Sequence, residues 1–308
     1  MELEKLRKLH PHHWEKANAI RVLTLDAVAA ANSGHSGMPV GMADVATILF
    51  EKHLKFSTAQ PNWPDRDRFI LSAGHGSMLL YSIAYLCGYA DFDIDQLKNF
   101  RQLGKKTAGH PENFLSDVIE TTTGPLGQGI ANSVGFAIAE ESLRARFGRN
   151  IIDHHTFVIA GDGCLMEGVS QEAISLAGHL RLHKLIVFWD NNNITIDGTV
   201  DLTDSTDQKT RFEASGWEVI EIDGHNPEEI DSAISAAKKS EKPTMIACKT
   251  HIAIGTAAQD TSKGHGALTD PELIKNAREV YQWSHKPFDI PKSIKEQWEQ
   301  AGLEGHKA

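Results

Sequence analysis

The arrangement of apolar and polar residues predicts helices and one short strand in the first third of the chain. Residues 13–31 carry Ala, Ile, Val and Leu at helical spacing, and this pattern ends at Asn-Ser-Gly, a sequence typical of a helix end. A second helix is predicted over residues 40–54. Residues 67–89 predict a short strand, a glycine-flanked turn and a buried helix. Residues 93–103 begin with an aspartate cap and predict another helix.

From residue 124 onward, helix-like and strand-like segments alternate regularly. A glycine-rich turn opens a long helix, and the apolar segments after it predict four strands with helices between them. Strands separated by helices of about 10–15 residues pair in parallel, because a crossover must return the chain to the same edge of the sheet. The four predicted strands are HTFVIA, KLIVFWD, WEVIEID and PTMIACKT.

The predicted fold is one doubly wound α/β domain with a mostly parallel sheet and helices on both faces. Short, largely apolar strands are typical of a sheet that is covered on both sides. The regular pattern extends to about residue 285, so residues 1–285 are predicted to form this domain. Residues 286–308 are more polar and less regular, and they are predicted to be a tail or the start of a linker to a further domain.

Composition and charge restrict the classes of function. The 308 residues suffice for one large α/β domain, and 41% hydrophobic with 23% charged residues is ordinary for a globular protein. The net charge of -10, with no basic block, gives no support for a nucleic-acid or anionic membrane partner. Three cysteines without disulfide or zinc spacing, no secretory signal and no apolar stretch of about 20 residues indicate a cytoplasmic protein.

Two polar clusters follow neighbouring predicted strands. Asp162 stands between Gly161 and Gly163 directly after HTFVIA, and the sequence DNNN begins where KLIVFW ends. Ligands of open parallel sheets bind beyond the carboxyl ends of the strands, so the two clusters meet if these strands are adjacent. The alternative is that GDG is an ordinary turn and DNNN a polar loop.

The chemistry of these clusters suits a magnesium ion. Magnesium prefers octahedral oxygen ligands and is typically held by one or two carboxylates together with phosphate oxygens. Asp162 offers a carboxylate, one of Asn191–Asn193 offers an amide oxygen, and a backbone carbonyl near Ile194 offers a third ligand. The glycines beside Asp162 allow a phosphate group to approach the backbone closely.

The spacing of the two clusters matches a known cofactor motif. Between Gly163 and Asn192 lie 28 residues, as in the thiamine diphosphate motif, in which GDG is followed after just under thirty residues by Asn-Asn. ETTTGPLGQGIANSVGFAIAE, SGHSGMPVG, SAGHGSMLLY and GHPE also occur, in the order of one family. From about residue 14 to residue 300 the chain therefore resembles the amino-terminal, diphosphate-binding domain of transketolase.

The resemblance implies thiamine diphosphate and a divalent cation (Mg²⁺, or Ca²⁺ or Mn²⁺) as cofactors, and it implies roles for individual residues. The side chains of Asp162 and Asn192 and the carbonyl of Ile194 correspond to the metal ligands. His35, His110 and His265 correspond to catalytic histidines of the substrate channel. The residues that correspond to cofactor contacts are His75, Gly124, Leu126, Gly163, Asn192, Ile252 and His265.

The family pattern is matched less directly at two places, the loop before His265 and Glu167. Before His265 the chain reads THIAIGTAAQDTSKGH, whereas many family members read roughly TIIGFGSPNKAGTH, so this loop departs from the family pattern. Glu167 corresponds to a family glutamate buried at a dimer interface, or it is simply a glutamate at a helix start. The remaining histidines, such as His10, His12 and His53, are interpreted as surface or core residues.

The resemblance implies transfer of a two-carbon ketol unit from a ketose phosphate to an aldose phosphate, in the pentose phosphate pathway. A family chain is about twice as long, and its following pyrimidine-binding domain supplies a glutamate and sugar-phosphate arginines. We therefore expect that half as a separate subunit or a missing part of the chain, in a homodimer or heterotetramer. The alternatives are another thiamine diphosphate enzyme, of the sugar-phosphate synthase or 2-oxo acid dehydrogenase type, and a non-catalytic binding module.

Overall fold

A five-stranded, fully parallel sheet forms the centre of the protein in the computed structural model, which describes residues 2–304. The strand order is β1-β2-β3-β5-β4, and every neighbouring pair is parallel. The doubly wound α/β class predicted from the sequence is confirmed. The strands are β1 (Arg68–Leu71), β2 (Thr156–Gly161), β3 (Leu185–Asn191), β4 (Glu218–Asp223) and β5 (Thr244–Lys249).

Helices connect the strands and cover the sheet. Three 3-10 turns (Gly74–Gly76, Asn113–Leu115 and Val200–Leu202) and one π-helical turn (Leu49–His53) complete the secondary structure of the described residues. The α-helices are α1 (Leu3–Leu9), α2 (Pro11–Ala31), α3 (Gly37–Gly41), α4 (Ala43–Ile48), α5 (Met78–Cys87), α6 (Ile94–Lys98), α7 (Gln128–Phe147), α8 (Asp162–Met166), α9 (Gly168–His179), α10 (Gln208–Ala214), α11 (Pro227–Ala237), α12 (Ser262–His265), α13 (Pro271–Tyr281) and α14 (Lys292–Glu304).

The central strands are apolar because helices cover the sheet. Nearly all residues of β2, β3 and β5 are buried, whereas the edge strand β4 is largely exposed or half-buried. Helix α7 packs on β1, β2 and β3, and α11 packs on β4 and β5. A strand that is covered on both faces needs apolar side chains in both directions, so its sequence does not alternate.

The helix predicted over residues 40–54 is interrupted in the structure. It is divided into the end of α3, the whole of α4 and the π-helical turn, with a break at Met42. Gly41 lies against another segment at this break, because a Cβ atom added to it would stand 3.0 Å from the carbonyl oxygen of His251. Close packing therefore replaces one continuous helix with short ones.

The predicted irregular tail after residue 285 is wrong for α14, which is a regular helix. Ile294 and Trp298 lie four residues apart on one face of this helix, and they are 5% and 1% exposed. The helix packs against α5 and α2, so the folded domain extends past residue 285. Residues 305–308 lie outside the described residues, and the start of a linker there stays a prediction.

Among the helices of residues 2–304, none combines the length and apolar character that a membrane crossing requires.

Candidate active site

One cavity of about 440 Å³ collects the residues that the sequence predicts for the site. It lies beyond the carboxyl ends of β2 and β3, where open parallel sheets bind ligands. The structure brings together all eleven predicted positions, while their individual roles stay predictions. The eleven residues in the cavity wall are His35, His75, His110, Gly124, Leu126, Asp162, Gly163, Asn192, Ile194, Ile252 and His265.

The two polar clusters meet because β2 and β3 are adjacent strands. Gly161 of β2 pairs with Asp190 of β3 in the register of the sheet. Asp162 is the next residue and begins α8, and Asn192 follows directly after the end of β3. The sequence prediction that both clusters share one rim of the sheet is therefore correct.

Asp162 carries an unsatisfied carboxylate oxygen inside the protein. The residue is 7% exposed, and its Oδ1 accepts a hydrogen bond from the indole Nε1 of Trp189 at 2.9 Å. Its Oδ2 is buried and has no hydrogen-bond partner among residues 2–304. The pKa of Asp162 is raised to about 7, mainly by burial and also by the nearby charges of Asp190 and Asp204, while the hydrogen bond from Trp189 opposes the rise. A buried carboxylate in this state is suited to a cation.

The Asn192 side chain is fixed at both ends of its amide group. Its Nδ2 donates to Oδ2 of Asp190 at 2.8 Å, and its Oδ1 accepts from the backbone N–H of Ile194 at 2.9 Å. Asn191, by contrast, lines a different cleft beside β4, and Asn193 is exposed with a left-handed φ of 62°. Of the three asparagines, Asn192 alone lines the cavity.

Asp190 is a site residue that the sequence interpretation did not single out. It is 1% exposed and accepts hydrogen bonds from the hydroxyl of Thr250 and from Asn192. Burial raises the pKa of Asp190 to about 6, and these two hydrogen bonds oppose that rise. Its position at the end of an apolar strand was the available signal, because a carboxylate there must find buried partners.

The oxygen-bearing groups in the cavity wall fit a magnesium ion that is bound by the protein and by a phosphate together. Asp162 has a buried oxygen without a partner among the described residues, and Asn192 and Ile194, which carry an amide and a carbonyl oxygen, line the same cavity. Magnesium takes such hard oxygen ligands together with phosphate oxygens. At Gly161 no described residue other than its two chain neighbours has an atom within 4 Å of the position a Cβ would occupy, so a ligand has open space there.

Three histidines from distant parts of the chain pack against one another in the wall of the cavity. His35 precedes α3, His75 lies in the 3-10 turn after β1, and His265 ends α12. Their ring centroids lie 5.0 Å (His35–His75), 5.5 Å (His35–His265) and 5.1 Å (His75–His265) apart. His265 follows the loop that departs from the family pattern, and the structure nevertheless places its ring beside those of His35 and His75.

Burial keeps these imidazoles neutral. Burial and the neighbouring histidines lower the pKa of His35 to about 4 and that of His75 to about 3, and burial also lowers the pKa of His265. A neutral imidazole donates a hydrogen bond from one ring nitrogen and accepts one at the other. Nδ1 of His35 is buried without a hydrogen-bond partner in the described part of the chain, so one ring nitrogen remains available to a ligand.

His110 and Gly124 form a closely packed part of the wall. A Cβ atom added to Gly124 would stand 3.2 Å from Cγ of His110, and the φ of Gly124, +148°, is one that favours glycine. Burial and the guanidinium of Arg101 lower the pKa of His110.

Other wall residues that the sequence interpretation did not single out include Met38, Cys164, Met166 and Ile196.

Glu167 is exposed at the start of α9. Its side chain makes no capping hydrogen bond to that helix. The assignment of Glu167 to a subunit interface stays a prediction.

Comparisons with known proteins agree on one family. The family model described as transketolase, thiamine diphosphate binding domain, matches residues 12–308. Transketolase of Rhodobacter capsulatus is 59% identical over 306 residues, which cover 99% of this chain and 46% of that protein. Transketolase of Cereibacter sphaeroides is 57% identical over 293 residues, which cover 95% of this chain and 45% of that protein.

Solved structures give the same result. The crystal structure of Campylobacter jejuni transketolase superposes with a TM-score of 0.93 at 45% identity, covering 96% of this chain and 47% of that chain. Leishmania mexicana transketolase gives a TM-score of 0.91 at 44% identity, covering 94% of this chain and 44% of that chain. This chain thus spans just under half the length of the relatives it matches. It belongs to the family of transketolase thiamine diphosphate-binding domains.

Proposed function

We propose that this chain forms the diphosphate-binding half of a transketolase active site. In this proposal it binds thiamine diphosphate and a divalent cation for transfer of a two-carbon ketol unit from a ketose phosphate to an aldose phosphate. The observation that carries the proposal is that one cavity is lined both by Asp162, whose Oδ2 is unpartnered among the described residues, and by three neutral histidines.

The metal end of the site consists of Asp162, Asn192 and the carbonyl of Ile194. These oxygens would hold Mg²⁺, or Ca²⁺ or Mn²⁺, and the cation would in turn bind the diphosphate of the cofactor. The protein has a net charge of -10, and a bound metal ion would allow such an acidic protein to bind an anionic ligand. Gly163 lines the same cavity, and the open space at Gly161 would leave room for the diphosphate.

The middle of the cavity is assigned to the two rings of the cofactor. Gly124 and Leu126 would line the aminopyrimidine ring, and Ile252, which is 1% exposed, would contact the thiazolium ring. Thiamine diphosphate, when bound, supplies the electron sink that cleavage of a carbon–carbon bond next to a ketose carbonyl requires.

The histidines act on the sugar oxygens. His35, His110 and His265 would donate hydrogen bonds to hydroxyl and carbonyl oxygens of the substrate and exchange protons with them, and His75 would contact the cofactor. General acid–base catalysis and hydrogen bonding to a developing alkoxide both suit a neutral imidazole. The low pKa values of His35 and His75 keep a positive charge out of this part of the site at neutral pH.

The chain would act together with a pyrimidine-binding half. Its coverage of 46% and 45% of the two curated relatives supports this proposal, because a comparable length remains for that half. That half would supply the glutamate for the aminopyrimidine ring and arginines for the sugar phosphate. The assembly would be a homodimer or heterotetramer, with Glu167 at an interface, in the cytoplasm and in the pentose phosphate pathway.

A ketol-transfer assay tests the proposal. The 308-residue chain alone should show no turnover with a ketose phosphate and an aldose phosphate, and turnover should appear after addition of the second half of the 59% identical Rhodobacter capsulatus transketolase. Robust turnover by the pure chain would contradict the incomplete site. Turnover of 2-oxo acids instead of ketose phosphates would favour another thiamine diphosphate enzyme. Failure of every combination would favour a binding module.

A further inference from the structure

Two adjacent residues of β3 hold the two side chains assigned to the metal. The indole Nε1 of Trp189 donates to Oδ1 of Asp162 at 2.9 Å, and Oδ2 of Asp190 accepts from Nδ2 of Asn192 at 2.8 Å. Trp189 is 8% exposed and Asp190 is 1% exposed, so water does not compete strongly for either bond. Each bond occupies one polar atom of a metal ligand.

The bond from Trp189 leaves Asp162 with one free oxygen. A carboxylate can bind a cation through one oxygen or through both. In this structure Oδ1 is already engaged by the indole N–H, and Oδ2 is the buried oxygen without a partner. The Asp162 side chain therefore presents a single oxygen in a fixed direction.

The bond to Asp190 decides which end of the Asn192 amide is the nitrogen. Since an ionised carboxylate only accepts hydrogen bonds, Asp190 selects the NH₂ group and turns Oδ1 to the other side. Thr250 also donates to Asp190 and holds that carboxylate in place. Oδ1 accepts one bond from Ile194 and retains a second lone pair.

We propose that Trp189 is a positioning residue that makes Asp162 a one-oxygen ligand and thereby favours Mg²⁺ over Ca²⁺. Magnesium demands near-ideal octahedral geometry at short distances, whereas calcium accepts six to eight ligands, including carboxylates bound through both oxygens. Fixing one oxygen and engaging the other suits magnesium and denies calcium the second oxygen. The inference rests on the proposed function, in which Asp162 is a metal ligand.

The chain offers a matched control for this role. Trp217 is 2% exposed, and its Nε1 donates to the backbone carbonyl of Ile174 at 2.9 Å. Trp217 is not among the residues that line the cavity. Trp189→Phe and Trp217→Phe each remove one buried indole donor and a similar amount of apolar surface. Only the first substitution touches a proposed metal ligand.

The experiment is a calorimetric titration of the 308-residue chain at a fixed concentration of thiamine diphosphate. Mg²⁺ is the titrant in one series and Ca²⁺ in the other. Trp189→Phe should weaken Mg²⁺ binding about tenfold or more, the effect typical of losing a hydrogen bond to a metal ligand. It should weaken Ca²⁺ binding less, so the ratio of the two affinities falls. Trp217→Phe should change neither affinity, even where it lowers the melting temperature.

A second measurement needs no substitution. In the wild-type chain with thiamine diphosphate, replacing Mg²⁺ by paramagnetic Mn²⁺ should broaden one of the six tryptophan indole N–H signals in an NMR spectrum far more than the others. The inference is overturned when no indole signal responds in this way, or when Trp189→Phe changes both metal affinities by the same factor as Trp217→Phe. If the wild-type chain binds thiamine diphosphate with neither metal, the proposed function fails, and the inference fails with it.

Discussion

His35 and His265 are separated by most of the chain, yet their ring centroids lie 5.5 Å apart and their planes meet at 85°. Gly37 explains part of this contact. A Cβ atom added to Gly37 would collide with the carbonyl oxygen of Gly264 and would stand 2.6 Å from Cγ1 of Ile252. The absence of a side chain at residue 37 lets the segments that carry the two histidines approach each other.

Gly37→Ala should therefore separate these segments. We expect a loss of stability of about 1–3 kcal/mol, as for other over-packed interiors, together with weaker binding of thiamine diphosphate. Urea unfolding and calorimetry measure the two effects. Gly135→Ala is the control, because no atom lies within 4 Å of its added Cβ in helix α7, and it should stabilise the chain by about 0.5–1 kcal/mol. Equal stability of the Gly37 variant and wild type would contradict the close approach.

Asp162→Ala should abolish magnesium-dependent binding of thiamine diphosphate while the chain stays folded. The substitution removes the only carboxylate among the three proposed metal ligands. Calorimetry with and without a chelator measures the binding, and circular dichroism checks the fold. Asp204→Ala is a suitable control, since Asp204 is half-buried, lies outside the cavity wall and affects Asp162 only through its charge. Unchanged cofactor affinity of the Asp162 variant would refute the metal assignment.

Asp162→Asn should stabilise the metal-free chain at alkaline pH. The pKa of Asp162 is raised from its usual 3.8 to about 7 in the folded state, so between these values the folded chain keeps a proton that the unfolded chain loses. Stability therefore falls as the pH rises through this window. The neutral amide avoids this loss, and the gain at pH 8 should reach at most about 4 kcal/mol and vanish near pH 4. Urea unfolding at both pH values checks the sign.

The buried histidines should make the chain less stable in mild acid. Unfolded histidines bind protons below about pH 6.5, whereas the folded-state pKa of His35 is about 4 and that of His75 about 3. Stability is present above pH 6.5 and is lost as the pH falls from there to about 4, because the unfolded chain binds more protons. His75→Gln should reduce this slope of unfolding free energy against pH, and His12→Gln, at an exposed position, should not. A slope that His75→Gln leaves unchanged would contradict the burial of a neutral His75.

Asp44→Asn should destabilise the chain strongly. Asp44 is fully buried, and it accepts hydrogen bonds from Arg21, from His13 at 2.9 Å and from His225 at 2.8 Å. Burial alone would raise the pKa of Asp44, but these partners hold it well below 3.8, so the carboxylate is ionised. Leaving Arg21 as an unpaired buried charge should cost about 3–5 kcal/mol.

Asp231→Asn provides the comparison for Asp44. Asp231 pairs with Lys52 at 2.6 Å and with His53 at 2.8 Å, but its side chain is 34% exposed. A pair of this kind contributes about 0–1 kcal/mol. Urea unfolding at pH 7 should separate the two variants clearly, and similar losses for both would show that the Asp44 network is not a buried ion cluster.

The sequence allowed the fold class and the wall of the site to be predicted, and the limits of that prediction have physical reasons. Asp162 and Asn192 were recognisable because strand ends of a parallel sheet share one edge. The helix α14 was missed because its apolar residues Ile294 and Trp298 are few and surrounded by charges. Asp190 was missed because its partner Thr250 directly follows β5, and only the strand order shows that β5 is adjacent to β3. The broken helix at Met42 depends on tertiary contacts that no local pattern contains.

The register of β2 and β3 also explains the number of residues that separate the two proposed metal-binding motifs along the chain. Gly161 and Asp190 are held side by side by the sheet, and the residues between the motifs form most of α8, the whole of α9, the turn before β3 and β3 itself. An insertion in that turn would lengthen the motif without moving Asp162 relative to Asn192. The number of intervening residues therefore measures the size of a crossover connection, while the pairing of the two strands sets where Asp162 and Asn192 lie relative to each other.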